Sequence, residues 1–210
     1  MAEQKQILLR MRDVVLTLGV AEEYGQNLSR TQLQKFIYLL DVIGYLYEIL
    51  SPIDGHKTYM HGPYDKEIQN AVDSLAFRGF VEVYSVKYDS YSKQSSYKLS
   101  EAGKQWLKKI IREGGMSLRW EAARLIGNKV NRFGWGSLVQ LVYAEPTFVS
   151  ARPKGYGQKI EPYNGLENSA AFLFQILEHG LNRGSNNKRP KRELMVELFF
   201  RYLDTYNNLK

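Results

Sequence analysis

The chain has 210 residues, 44 % of them hydrophobic and 24 % charged, which suits a folded protein with a real core in one domain or two small ones. It contains no cysteine, which excludes a disulfide framework and any Cys-ligated zinc or iron–sulfur site. The net charge of +7 is unevenly placed: residues 1–100 carry 11 Lys and Arg against 12 Asp and Glu, and residues 101–210 carry 18 against 10. The basic half can attract nucleic acid through phosphate contacts, meet an acidic protein, or simply be a solvated surface. The N-terminal residues lack the basic-then-apolar pattern of a signal peptide, and no apolar run reaches the length of a membrane span. A cytoplasmic protein without membrane contact is the expectation.

In chain order, Ile7, Leu8, Met11, Val14, Val15 and Leu18 recur at helical spacing and predict a first helix over 3–18, ending near Gly19. Ser29 followed by Gln32 has the spacing of a capping box. The helix it opens carries Leu33, Phe36, Ile37, Leu40, Ile43 and Tyr47 on a wide apolar face, and is expected to be central to the core. Residues 51–55 are turn chemistry and 58–61 a short extended link.

Gly62-Pro63 then stops the chain and presets an extended entry into a third helix starting at Pro63 or Tyr64. Ile68, Ala71, Val72 and Leu75 make its apolar stripe, and Gly79 suits a left-handed cap with Phe80 folding back. Residues 80–87 alternate as a strand, 89–95 form a polar tip, and 96–99 a return strand. Ser100 opens a fourth helix with Trp106, Leu107, Ile110 and Ile111 inward, and Gly114-Gly115 ends it. The remainder reads as helices around 118–130, 137–143, 166–181 and 194–206, with a long loop over 144–165 and a polar basic loop over 182–191. The expected fold class is mainly α with a small β-hairpin wing (α+β): a winged-helix domain over 1–113, then a C-terminal helical domain over 114–210.

Signatures of catalysis are missing. His56, His61 and His179 do not form a helical metal pair, and no phosphate-binding Gly-rich loop with Lys, Gly-x-Ser-x-Gly elbow or nuclease-type acid cluster occurs. His61 reads as packing against the helix start and hydrogen-bonding backbone. No catalytic residue, cofactor, metal or small-molecule substrate is expected, nor a pocket holding several titratable groups.

The third helix would be the groove-reading element of a winged helix, yet its polar face, including Asp65, Glu67, Gln69, Asn70 and Asp73, is acidic on balance. Acids beside phosphates disfavour a DNA groove, so Tyr64, Asp65, Glu67, Gln69, Asn70 and Asp73 are expected to meet a protein instead. DNA contacts without sequence preference are expected from Lys87, Lys93 and Lys98 of the wing, from Lys104, Lys108 and Arg112, and from Lys188, Arg189, Lys191 and Arg192. The alternative is a dimeric repressor reading DNA with helix 64–78, where Gln69 and Asn70 would read adenine.

Leu33-Gln34-Lys35 with Tyr38, then His61-Gly62-Pro63-Tyr64, Leu75, Gly79-Phe80 and Tyr97-Lys98-Leu99-Ser100-Glu101-Ala102-Gly103 carry a resemblance. In that order they resemble prokaryotic winged-helix proteins of the Panacea (SocA-type) antitoxin-like kind and related small accessory subunits of bacterial defence systems. The resemblance covers residues 5–111. It implies a non-enzymatic subunit of an antiphage-defence or toxin–antitoxin complex that holds a partner protein of the same operon, such as an effector, a toxin or an SMC-like ATPase.

Overall fold

The computed structural model describes residues 2–47, 55–89, 92–160, 170–182 and 191–209. Helix α1 (Ala2–Glu23) runs straight through Gly19, where the sequence predicted its end. Gly19 is a packing site: a Cβ there would lie 2.4 Å from Leu107 Cδ2, so a larger residue would require the Leu107 side chain to shift. Helix α2 (Arg30–Gly44) begins with the predicted capping box, with Ser29 Oγ accepting from Gln32 N and Gln32 Oε1 accepting from Ser29 N. Its residues from Leu33 to Gly44 are all buried, as the wide apolar face implied.

Helix α3 (Lys66–Phe77) starts later than predicted, because Asp65 is its N-cap and accepts from Glu67 N at 2.8 Å. Its apolar stripe is buried as expected, and Gly79 takes φ +75° while Phe80 N reaches back to Leu75 O. Strands β2 (Val81–Asp89) and β3 (Ser92–Leu99) pair antiparallel and are longer than predicted. A two-residue strand β1 (Leu28–Ser29), too short for any periodicity to reveal, pairs with β3 at Leu28↔Tyr97. The sheet order is β1-β3-β2.

Helix α4 (Glu101–Ile110) is capped by Ser100, whose Oγ accepts from Gly103 N. Helix α5 (Met116–Phe133) follows, then α6 (Leu138–Tyr143), α7 (Pro146–Ala151), α8 (Ala170–Asn182) and α9 (Arg192–Asn208). The protein is thus mainly helical with a small three-stranded antiparallel sheet. One buried apolar cluster runs from Met11 to Leu203 and passes through α1, α2, α5, α6 and α9, so the core is continuous across Gly114-Gly115.

The predicted loop over 144–165 needs correction. Residues 146–151 are helical, because buried Glu145 accepts from Thr147 N and Phe148 N and Pro146 suits the first turn. A 3-10 turn, Arg152–Lys154, continues it. Residues 155–160 then lie along 56–58, with Thr58 N donating to Gln158 O, Gly157 N to Thr58 O and Ile160 N to His56 O. Residues 161–165 of that prediction lie outside the described residues.

Candidate functional site

Three features surround the His61-Gly62-Pro63-Tyr64 segment, and the first is a buried ion cluster. Arg10 of α1 places Nε 2.8 Å from Asp65 Oδ2, and Nη1 2.7 Å from Asp41 Oδ2 and 3.0 Å from Asp13 Oδ2. Arg119 of α5 meets the same acids, with Nη2 2.9 Å from Asp13 Oδ2 and 2.5 Å from Asp41 Oδ1. His56 Nε2 lies 2.9 Å from Asp41 Oδ2, and the ring stands edge-on to Tyr38. All six charged or titratable side chains are buried. Burial alone would raise the Asp41 pKa, but Arg10 and Arg119 together hold it well below the usual carboxylate range. The carboxylates face guanidiniums, and among the described residues no group of His, Asp or Glu could hold a metal ion.

Asp65 was expected on the exposed, partner-facing side of α3. It is 1 % exposed and caps α3 from within the ion cluster, so it is corrected to a positioning residue. Gln34 clamps its backbone, with Nε2 2.8 Å from Asp65 O and Oε1 2.9 Å from Asp65 N. The start of α3 is therefore fixed to both α1 and α2.

The second feature is a cavity of about 300 Å³ lined by Arg30, Thr31, Gln34, Lys35, Tyr59, His61, Gly62 and Tyr64. This overturns the expectation that no pocket would hold several titratable groups. Lys35 is 2 % exposed, and its Nζ donates to Pro63 O at 2.7 Å. Burial lowers its pKa to about 7, because the lost hydration of the ammonium disfavours the charged form. Gly62 takes φ +93° against Lys35, where a Cβ would lie 2.9 Å from Lys35 Cε and 3.0 Å from Tyr143 Cε1. Arg30 Nη2 donates to Tyr64 Oη at 3.0 Å, and the Tyr59 and Tyr64 rings lie 5.4 Å apart. His61 is exposed at the cavity and makes no hydrogen bond with the described residues, so the backbone-bonded packing predicted for it is corrected.

The third feature is the outer face of α3 and the wing. Gln69 Nε2 donates to Asp73 Oδ1 at 2.8 Å, and Asn70 Nδ2 to Glu67 Oε1 at 3.2 Å. Phe77 on the last turn is 94 % exposed, and Val83 and Tyr84 of β2 are exposed as well. Tyr64 is only half exposed and belongs to the cavity.

The basic residues divide. Lys108 and Arg112 are exposed. Lys104 is held by Glu22 at 2.6 Å and Glu101 at 2.9 Å, and Lys98 lies 3.4 Å from Glu82 and over the Tyr84 ring. Lys191 is exposed, whereas Arg192 donates to Leu46 O and covers the Tyr47 ring, so its role here is packing. The side chains of Lys87, Lys93, Lys188 and Arg189 lie outside the described residues.

Sequence reasoning missed the ion cluster. The signal was present: Asp41 interrupts the apolar run from Phe36 to Ile43, Asp13 neighbours Val14 and Val15, and Arg119 is in helical phase with Ala122, Ala123 and Ile126. A charged residue in the buried phase of a helix requires partners, and here they find one another. Among the described residues no helix is long and apolar enough to cross a membrane. No protein-family model matches the chain, and no curated protein matches it.

Proposed function

We propose that the protein is a winged-helix subunit that binds a partner protein through α3, within a bacterial antiphage-defence or toxin–antitoxin-type complex. The order α1-β1-α2-α3-β2-β3, with sheet order β1-β3-β2, supports the winged-helix reading. The carrying observation is the outer face of α3. Its two amides, the groups suited to reading adenine, are engaged by their own helix's acids, and the face ends in a bare Phe77. With Asp65 buried, Lys66 and Arg78 balance Glu67 and Asp73 on this face, which corrects the acidic balance expected from the sequence. A mixed-charge face with an exposed aromatic suits a partner that presents polar side chains of both signs around an apolar recess. Lys108 on α4 and Arg112 in the turn after it supply DNA contacts without sequence preference. The setting in a defence or toxin–antitoxin complex rests on the resemblance carried by the quoted motifs.

The test is co-expression with the products of the neighbouring genes, followed by purification through a tag on this chain. A stable complex with the wild-type chain is expected, and its loss with the double variant Phe77→Asp, Asp73→Lys. Recovery of the wild-type chain alone contradicts the reading.

A further inference from the structure

The lining of the cavity between α2 and the 59–64 segment is cationic and aromatic, without a carboxylate. Lys35 is the telling residue. A buried ammonium without a partner charge is costly, and proteins normally supply a carboxylate. Lys35 has none among the described residues; its single hydrogen bond, to Pro63 O, leaves two of its three donor positions unused. The ion cluster nearby shows that this chain does pair its buried charges: Arg10 and Arg119 each meet at least two carboxylates.

Arg30 likewise bonds Tyr64 rather than an acid. Arg30 and Thr31 are the first residues of the 15-residue helix α2, so the positive end of the helix dipole borders the same space. His61 contributes an exposed imidazole. Three cationic or donor side chains thus surround a space that no carboxylate of the described residues lines. At the mouth, Tyr59 is 57 % exposed with its ring tilted 36° to that of Tyr64, and the Arg30 guanidinium lies 5.6 Å from the Tyr64 ring centre. Such a mouth suits a flat ring that can stack on tyrosine and guanidinium.

We propose that this cavity binds a phosphate monoester that carries a planar ring, of the size of a 5′-mononucleotide. The phosphate takes the position facing Lys35 and Arg30, and the base lies against Tyr59 and Tyr64. The volume, about 300 Å³, is at the lower end of small-molecule sites and fits one such molecule. Gly62 fits this use as well, because its bare backbone leaves the space beside Lys35 that a Cβ would fill. The inference is independent of the α3 docking face, which uses other residues.

Isothermal titration of the full chain with AMP, GMP, CMP and UMP tests it, with adenosine, inorganic phosphate and a 5′-phosphorylated oligonucleotide as comparison probes. At least one mononucleotide is expected to bind saturably below about 1 mM, and about tenfold or more tighter than either adenosine or inorganic phosphate. Lys35→Met and Arg30→Ala should each weaken it about tenfold, while Lys109→Met, on the exposed side of α4, leaves it unchanged. Melting curves of each variant verify folding, and Arg30, being exposed, keeps the test open if Lys35→Met perturbs the core. Four results overturn the proposal: no saturable mononucleotide binding, equal binding of adenosine and AMP, equal loss in Lys109→Met, or binding of the oligonucleotide alone.

Discussion

Arg119 of α5 bonds Asp13 of α1 twice, through Nε at 2.5 Å and Nη2 at 2.9 Å, and so ties the chain after Gly114-Gly115 to its first helix. Removing one partner of a buried pair leaves an uncompensated charge, which costs about 3–5 kcal/mol. Arg119→Met is expected to lower the unfolding free energy read from urea titration by that order, because Asp13 and Asp41 then share Arg10 as their remaining guanidinium. A fragment of residues 1–113 lacks Arg119 and should show no cooperative unfolding transition. A fragment that melts as sharply as the full chain would show that the cluster is dispensable.

Acid should loosen the same cluster. Arg10 and Arg119 hold the folded Asp41 pKa below its unfolded value, so its contribution is complete above the unfolded pKa and is lost as pH falls. Stability measured by denaturant titration is therefore expected to decline below about pH 4. Asp41→Asn should be less stable near neutral pH and show a shallower decline in that acid window. A wild-type curve flat down to about pH 2 would contradict this.

Lys35 has the opposite consequence. Its folded pKa of about 7 lies below the ordinary lysine value, so the native state is disfavoured wherever the unfolded lysine is charged. The penalty is full below pH 7 and diminishes as pH rises toward the unfolded value. Lys35→Met is expected to stabilise the ligand-free protein by a few kcal/mol at about pH 6 and by less at about pH 9. Thermal melts at the two pH values read this, and a destabilised variant at both would contradict it.

Two glycines separate backbone strain from crowding. Gly62 and Gly79 both have positive φ, but a Cβ on Gly62 meets Lys35 and Tyr143, whereas one on Gly79 meets nothing within 4 Å. Gly79→Ala is expected to cost about 1 kcal/mol, the left-handed penalty alone, and Gly62→Ala about 2–4 kcal/mol. Equal melting temperatures for the two variants would refute the crowding at Gly62.

Much of the first half was legible because its signals are local. The capping box at Ser29 and Gln32, the stripe from Ile68 to Leu75 and the left-handed Gly79 each depend on residues within a few positions. What failed was non-local. Gly19 reads as a helix end until Leu107 is seen against it, and Asp65 reads as an exposed first-turn acid until Arg10 reaches it from 55 residues away. The cavity was equally hidden, since Arg30, Lys35, Tyr59 and His61 are brought together only by the Gly62-Pro63 bend on α2. Residues 144–154 misled for a different reason: Pro146 and Pro153 suggest a loop, yet each opens a short helical segment.

The proposed docking surface is the outer face of α3. Hydrogen–deuterium exchange of the complex purified from its own operon, compared with the free chain, tests this most directly. Slower exchange is expected across residues 66–79 and the adjoining start of β2 when the partner is bound. Unchanged exchange there, with protection appearing only on α8 or α9, would contradict it.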